Sequence, residues 1–256
     1  VSGGSFAALP EDVKIQFKRE IRKETGMSDP AGRREGKERS LPEQKMDKEF
    51  IIACDKGYQN AEKMGITPDL ILGDFDSGER PADTDARILT FPTRKDDTDT
   101  MLAVKYAIRE GFRDIHIACA FGGRLDHAFS NIQAGAFIAS YGGVAHLYGQ
   151  SEICTVFGRK SICVDQPDSA ANDEDSCVTY LTLPRRDGYS LSVFSLSDVC
   201  EGVTIRGTKY EVEDVTLLHN DPVGTSNVWT ADTAKISLQK GILMVMMSRL
   251  LPGEHI

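Results

Sequence analysis

The hydrophobic pattern of the chain changes at about residue 149, and this change constrains the fold more than any other feature. Before it, short apolar runs typical of buried strands alternate with segments of helical periodicity. The runs are FIIAC, DLIL, RILTF, DIHIACA and VAHLYG. The helices are predicted at Tyr58–Met64, Asp97–Glu110 and Leu125–Ser140. Strands and helices in alternation predict a mainly parallel, doubly wound sheet.

After residue 149 the helical periodicity disappears, and short β-branched or alternating runs follow one another, among them YSLSVFSL, GVTIRG and GILMVMM. Turn sequences such as RRDG separate them, which is typical of an all-β sandwich or barrel. The predicted fold class is therefore α/β. We expect an N-terminal Rossmann-like domain with a mainly parallel sheet over residues 1–150 and a C-terminal β-sandwich domain over residues 151–256.

Two segments interrupt this pattern with charge. Residues 22–49 contain eight Lys/Arg and seven Asp/Glu and no aromatic residue. Residues 165–176 contain five acidic residues and no basic one. Because neither segment has enough apolar surface to offset its ordering entropy, we predict a disordered insertion at 22–49 and an exposed acidic loop at 165–176.

The composition excludes several classes of protein. The chain is 40% hydrophobic and has no run close to the roughly 18 apolar residues of a membrane span. Its net charge of −9 argues against nucleic-acid binding, which needs a basic face. Six cysteines without CxxC spacing indicate reduced thiols, and the initial VSGGSF has no secretory pattern. The predicted location is the cytoplasm.

Two clusters of aspartates follow predicted strands. Asp74 and Asp76 come just after DLILG and, as alternate residues of an extended segment, point the same way. Asp96, Asp97 and Asp99 open the next helix, where we expect one of them to be the N-cap. A single cluster could be an Asp-rich turn, but two converging clusters repel unless a cation neutralises them. Since Mg²⁺ prefers hard oxygen ligands, they predict a magnesium site.

A glycine-containing loop, AFGGRLDHAFSN, leads from the strand DIHIACA into the next helix. Gly122 and Gly123 permit close approach to the backbone, and Arg124 offers a charged fork to an anion. The pattern is neither a Walker A nor a GxGxxG sequence, so an ordinary glycine turn is an equally open interpretation. We expect His127 to have a structural role beside Asp126 rather than to carry a proton.

A polar turn near the end of the chain, DPVGTSNVW, contains the only tryptophan. A Thr-Ser-Asn turn beside a large aromatic can hold a flat heteroaromatic ring by stacking and hydrogen bonds. The alternative is an ordinary turn next to a core tryptophan.

Taken in order, GDFDS, KDDTD before a helix, GGRLDH and the late TSN turn resemble thiamine pyrophosphokinases, especially the bacterial form. The resemblance covers VSGG and roughly residues 49–133 and 180–249. It implies transfer of a pyrophosphoryl group from ATP to the hydroxyethyl oxygen of thiamine, giving thiamine diphosphate and AMP. It also implies a homodimer whose active sites are shared between subunits.

Carried over by position, the resemblance assigns roles to individual residues. The implied Mg²⁺ ligands are Asp74, Asp76, Asp96 and Asp99. The implied catalytic residues are Asp74, Asp76, Asp99, Arg124 and Asp126. The implied ATP contacts are Gly3, Gly4, Asp55, Gly57, Gly122, Gly123 and Arg124. The implied thiamine contacts are Thr225, Ser226, Asn227 and Trp229. The chain departs from the family at Asp55-Lys56-Gly57, where DGG or DRG is common.

Other functions remain open on the sequence. A related pterin diphosphokinase could share the α/β motifs. A phosphatase of the haloacid-dehalogenase type would use Asp74 as nucleophile, but it does not predict GGRLDH or a β domain. A non-catalytic thiamine or nucleotide sensor needs no metal-bound triphosphate, so the acidic clusters count against it.

Overall fold

The computed structural model describes residues 50–55, 57–73, 84–91, 97–159 and 179–254, which form a mixed α/β structure. Within these ranges the chain has three helices and twelve strands, and it divides after Phe112 into two compact units. None of the described helices has the length and apolar character needed to cross a membrane. The predictions for residues 22–49 and 165–176, and those for Gly3, Gly4, Asp74, Asp76 and Asp96, lie outside the described residues.

The first unit, residues 50–112, contains a small parallel sheet. Its elements are β1 (Ile52–Cys54), α1 (Gly57–Lys63), β2 (Leu70–Gly73), β3 (Arg87–Thr90) and α2 (Asp99–Arg109). The strand order is β1-β2-β3, with Leu70 opposite both Ile52 and Arg87. Strand β2 is buried along its whole length, which is why its apolar run has no polar alternation.

Helix α2 is held at its start by a side-chain cap and along its length by aromatic packing. Thr98 is the N-cap, and its hydroxyl accepts a hydrogen bond from Met101 N at 3.2 Å. The predicted aspartate cap is therefore wrong; a threonine hydroxyl satisfies the same backbone group. The ring of Phe50 stacks against Tyr106 on the buried face of α2 and against Phe112, at centroid distances of 6.4 and 5.6 Å.

The second unit, residues 113–254, contains two sheets and one helix. Its elements are β4 (Asp114–Ile117), α3 (Leu125–Ser140), β5 (Val144–Tyr148), β6 (Glu152–Gly158), β7 (Thr179–Pro184), β8 (Tyr189–Ser195), β9 (Val199–Arg206), β10 (Val212–Leu218), β11 (Thr233–Leu238) and β12 (Ile242–Arg249). One sheet has the order β4-β5-β6-β12-β8 and the other β10-β9-β11-β7. Only the β4–β5 pair is parallel among the described strands of this unit.

The larger sheet crosses the predicted domain boundary. Strands β5 and β6 form an antiparallel hairpin across residue 150, closed by a bond from Gly149 N to Glu152 O at 2.8 Å. The compact units divide after Phe112, and the predicted domain division at residue 150 stays a prediction. The loss of helical periodicity at residue 149 marks the start of a hairpin within one sheet.

Both sheets of this unit contribute to one hydrophobic core. The cluster includes Val193 and Leu243 from the five-stranded sheet and Val203 and Ile236 from the four-stranded sheet. Helix α3 covers the opposite face of the five-stranded sheet, where a Cβ on Gly135 would lie 3.0 Å from Val156 Cγ2. Strand β6 is consequently buried on both faces.

Candidate functional site

The carboxyl ends of the parallel strands meet at one edge of the first unit. Asp55 follows β1 in a left-handed conformation (φ 44°), and its N–H donates to Leu72 O at 2.6 Å. Gly73 ends β2 so close by that a Cβ there would lie 3.2 Å from Asp55 Cα. The Cys54 thiol donates to the Asp99 carbonyl at 3.7 Å, which places the start of α2 at the same edge. The fold thus brings together two predicted site residues, Asp55 and Asp99.

The aspartates before and at the start of α2 have different surroundings. Both carboxylate oxygens of Asp97 lie 2.7 Å from Lys105 Nζ, so this charge, which precedes the helix, is paired with a lysine of α2. Asp99 is in the first turn, where the helix dipole favours a negative charge. Asp99 is the one described member of the predicted metal-ligand set, which as a whole stays a prediction.

The predicted anion-binding loop belongs to the second unit. Gly122 has a φ of 99°, and a Cβ at Gly122 or Gly123 would meet no described atom within 4 Å, so the backbone is open to a ligand. The loop is fastened at its base, because Asn131 Nδ2 donates to Ala120 O at 2.9 Å.

Arg124 is oriented at the start of α3 by Asp126. Its Nε and Nη2 donate to the two carboxylate oxygens at 3.1 and 2.5 Å, and Asp126 Oδ1 also accepts from His127 N. The Arg124 hydrogen bond holds the pKa of Asp126 below its ordinary range. Since a carboxylate of low pKa is a poor proton acceptor, Asp126 suits positioning better than general-base catalysis.

The TSN turn lies against the edge strand β8. Val193 N donates to Gly224 O, and Leu191 and Asn227 exchange backbone hydrogen bonds, all at 2.8 Å. Between these anchors Ser226 has a left-handed backbone (φ 60°), and its N–H donates to Ser192 Oγ at 3.0 Å. Thr225 and Ser226 are exposed, so the turn presents two hydroxyl-bearing residues on a fixed backbone.

Asn227 and Trp229, by contrast, are buried. The Asn227 amide accepts from Tyr210 N and Val228 N and donates to Thr208 Oγ1 and Tyr210 O, at 2.8 to 3.0 Å. Trp229 is 6% exposed and belongs to the core cluster. Trp229 is thus a core tryptophan, which is the second of the two interpretations that the sequence left open for it. Its predicted contact with thiamine, like the other three, stays a prediction.

A cluster that the sequence analysis missed lies on β4 and β5. It consists of Asp114, His116 and His146, each offering one ligand atom within 4.8 Å of the others. Asp114 and His116 alternate along one strand, and His146 is the register partner of His116. The sequence signal for this cluster was the alternation of Asp114 and His116 along one predicted strand. It does not identify the cluster by itself, because the pairing of that strand with the one containing His146 cannot be read from the sequence.

One oxygen of the carboxylate in this cluster is closed off from solvent, although the Asp114 side chain as a whole is 20% exposed. Asp114 Oδ1 lies 3.2 Å from His116 Nε2 and 3.4 Å from His146 Nε2. These are ion-pair distances, but no described donor is aligned with Oδ1 for a hydrogen bond. Burial alone would raise the pKa of Asp114, but the two imidazoles outweigh it and lower that pKa well below its ordinary 3.8.

Two models of known protein families match this chain, one in each half. A family model described as thiamin pyrophosphokinase, catalytic domain, matches residues 42–140. A second, described as thiamin pyrophosphokinase, vitamin B1 binding domain, matches residues 179–243. Together the two matches cover more than half of the chain. No curated protein sequence matches it at a significant level.

Solved structures of similar fold include bacterial and fungal examples. Thiamine pyrophosphokinase from Bacillus subtilis is 22% identical, with a TM-score of 0.65 over 79% of this chain and 88% of its own. The enzyme from Geobacillus thermodenitrificans is 24% identical, with a TM-score of 0.60 over 77% and 85%. That from Candida albicans is 16% identical, with a TM-score of 0.58 over 78% and 82%. At these identities the likeness establishes the fold.

A catalytic domain followed by a vitamin-binding domain defines the chain as a nucleotide-binding transferase that acts on a vitamin. The chain belongs to the thiamin pyrophosphokinase family. It is an enzyme that transfers pyrophosphate to thiamine, and its family uses ATP and a divalent metal.

Proposed function

We propose that this chain catalyses the Mg²⁺-dependent transfer of pyrophosphate from ATP to the thiamine hydroxyl, in the cytoplasm and as a homodimer. The observation that carries the proposal lies at the carboxyl ends of the parallel strands of the first unit, within the residues that match the catalytic-domain model. There Asp55 and Asp99 are brought to the same end of the parallel sheet. In open sheets of this kind, ligands bind outside the carboxyl ends of the strands.

The chemistry of the donor set fits magnesium. Asp99 and the predicted ligands Asp74, Asp76 and Asp96 offer only carboxylate oxygens, which a hard cation prefers. Thr98 supplies the helix cap, so Asp99 is not needed for that role. When bound, the ion would neutralise charge on the triphosphate.

Arg124 is the described residue best placed to hold a phosphate. Asp126 fixes its Nε and Nη2, which leaves Nη1 to donate to an anion beside the open Gly122 backbone. A cation fixed in advance loses little entropy when its ligand arrives. We therefore assign phosphate binding to Arg124 and its orientation to Asp126.

Thiamine binding is assigned to the TSN turn within the vitamin-binding match. Thr225 and Ser226 are exposed and suit direct contact, whereas Asn227 fixes the turn from beneath. For Trp229 we propose the thiamine contact that the resemblance implies, although its side chain is buried in the core cluster.

The finer architecture is also a proposal: a Rossmann-like domain over residues 1–150 followed by a β-sandwich over residues 151–256. The two family matches lie on either side of residue 150, which supports this functional division even though one sheet crosses it. For the shared dimer, support comes from Leu125 and Phe129, apolar residues one turn apart on α3 that are 85% and 60% exposed.

The test is AMP formation from ATP by the purified chain with Mg²⁺, measured with and without thiamine and with a panel of other acceptor alcohols, including a hydroxymethyl pterin. AMP that appears only with thiamine supports the proposal. AMP with the pterin alone would indicate the related diphosphokinase. No AMP with any acceptor, despite thiamine binding, would indicate a sensor.

A further inference from the structure

We propose that Asp114, His116 and His146 bind a divalent transition-metal ion of the Zn²⁺ class, at a site separate from the aspartates assigned to Mg²⁺. All three residues belong to the second unit, and the site does not depend on the proposed reaction.

Strand register places the three side chains on one face of the sheet. Strands β4 and β5 are parallel neighbours with His116 opposite His146, and their rings stack at a centroid distance of 4.6 Å. Asp114 is two residues before His116 and therefore points to the same side. Three ligands on two hydrogen-bonded strands form a rigid site.

The two distances from the Asp114 oxygen suit a small ion with short ligand bonds, and all three ligand atoms lie within 4.8 Å of one another. Asp114 Oδ1 lies 3.2 and 3.4 Å from the two Nε2 atoms. A tetrahedral ion with bonds of about 2.0–2.1 Å holds its ligands about 3.3–3.4 Å apart. Oδ1 is buried and has no aligned hydrogen-bond donor among the described residues, a cost that a bound cation would remove.

The second nitrogen of each ring has a hydroxyl partner. His116 Nδ1 lies 2.8 Å from the Tyr148 hydroxyl, and His146 Nδ1 lies 3.1 Å from Thr155 Oγ1. When each Nδ1–H donates to its hydroxyl, the Nε2 lone pair of each ring is available to a metal ion held beside the Asp114 carboxylate. Metal-binding histidines commonly have this outer support, which fixes the ring and its tautomer.

The ligand types select the class of ion. Imidazole nitrogens suit Zn²⁺, Co²⁺ and Ni²⁺, whereas Mg²⁺ prefers oxygen ligands in an octahedral arrangement. The side chains of Asp114, His116 and His146 are 20%, 11% and 21% exposed, so the site is covered but open to ion entry. Three protein ligands leave the remaining position to water.

The experiment titrates the whole protein, first treated with chelator and then kept in excess Mg²⁺ to occupy oxygen-only sites. Co²⁺ is followed by its visible absorption and Zn²⁺ by calorimetry. We expect one tightly bound ion per chain with the spectrum of four-coordinate nitrogen and oxygen ligation. His146→Gln and Asp114→Asn should abolish this binding, and Thr155→Val should weaken it about 10- to 100-fold.

His219→Ala is the matched control, because His219 is an exposed histidine 3.9 Å from Asp198 and no third ligand joins them in the part of the chain that the structure describes. This variant should bind the ion as the wild type does. The inference is overturned if the wild type takes up no Co²⁺, or if both ligand variants bind as well as the wild type. Circular dichroism checks their folding. If a ligand variant does not fold, Thr155→Val decides, and unchanged affinity in that variant overturns the inference.

Discussion

Asn227→Ala should destabilise the second unit and distort the TSN turn. The amide forms four hydrogen bonds, of which three join residues 208–210 to the turn and one is accepted from Val228 N; the bond to Thr208 is fully buried. The alanine side chain forms no hydrogen bonds, so the backbone and hydroxyl groups that pair with the Asn227 amide lose that partner. Ser226, held in its left-handed conformation next to Asn227, would lose one of its anchors.

The size of the effect follows from those four bonds. Each hydrogen bond contributes about 0.5–1.5 kcal/mol net, and the three partly exposed partners can be rehydrated, so we expect a loss of about 2–4 kcal/mol. This corresponds to a roughly 30- to 700-fold change in the unfolding equilibrium. With a urea dependence of about 2 kcal/mol per molar, the midpoint falls by about 1–2 M.

The assay is urea unfolding followed by the fluorescence of Trp229, the only tryptophan, which reports on the core of this unit. Thr225→Ala is the control, since among the described residues its exposed hydroxyl donates to the nearby Pro222 carbonyl alone, and it should change stability by about 0.5 kcal/mol or less. An Asn227→Ala variant as stable as Thr225→Ala would refute the argument that the amide holds the turn.

Four further outcomes are expected. Asp99→Asn should abolish turnover while the protein stays folded, since loss of a favourable first-turn charge costs only about 0.3–1 kcal/mol, and activity that persists in this variant or in excess chelator would contradict the metal assignment. Trp229→Ala should cost about 3–5 kcal/mol by denaturation and raise the KM for thiamine more than that for ATP. The Asp126 carboxyl should titrate by NMR below 3.8 in the wild type and at a higher pH in Arg124→Gln, because the lowering partner is removed. Mixing Asp99→Asn with Ser226→Ala chains should restore part of the activity in exchanging dimers, whereas no recovery would place the site within one chain.

Local elements were predictable because their signals are local. Helix α3 was predicted with its observed bounds, and α1 and α2 within two residues of theirs. The apolar runs in the described ranges all contribute to strands. In β2 every position is buried, since burial on both faces requires apolar residues throughout. The motif loop at Arg124 was located for the same reason, as a glycine turn between a strand and a helix.

Long-range pairing was not predictable from the same evidence. The β5–β6 hairpin and the contact of His116 with His146 depend on strand register, which no single segment encodes. Trp229 illustrates a second limit, because an aromatic beside a polar turn has the same sequence pattern whether it faces a ligand or the core. Trp229 is buried because it lies in the core that the two sheets share, and the packing of those sheets cannot be read from the local sequence.

The position of β12 has a consequence for how the protein is made. This strand follows all the other described strands in the chain, yet it lies inside the larger sheet, between β6 and β8. During synthesis those two strands emerge well before the partner that joins them. Until residues 242–249 arrive, each has an unpaired edge of the kind that recruits strands from other molecules. The nascent chain is therefore exposed to such pairing, and to aggregation, until β12 is added.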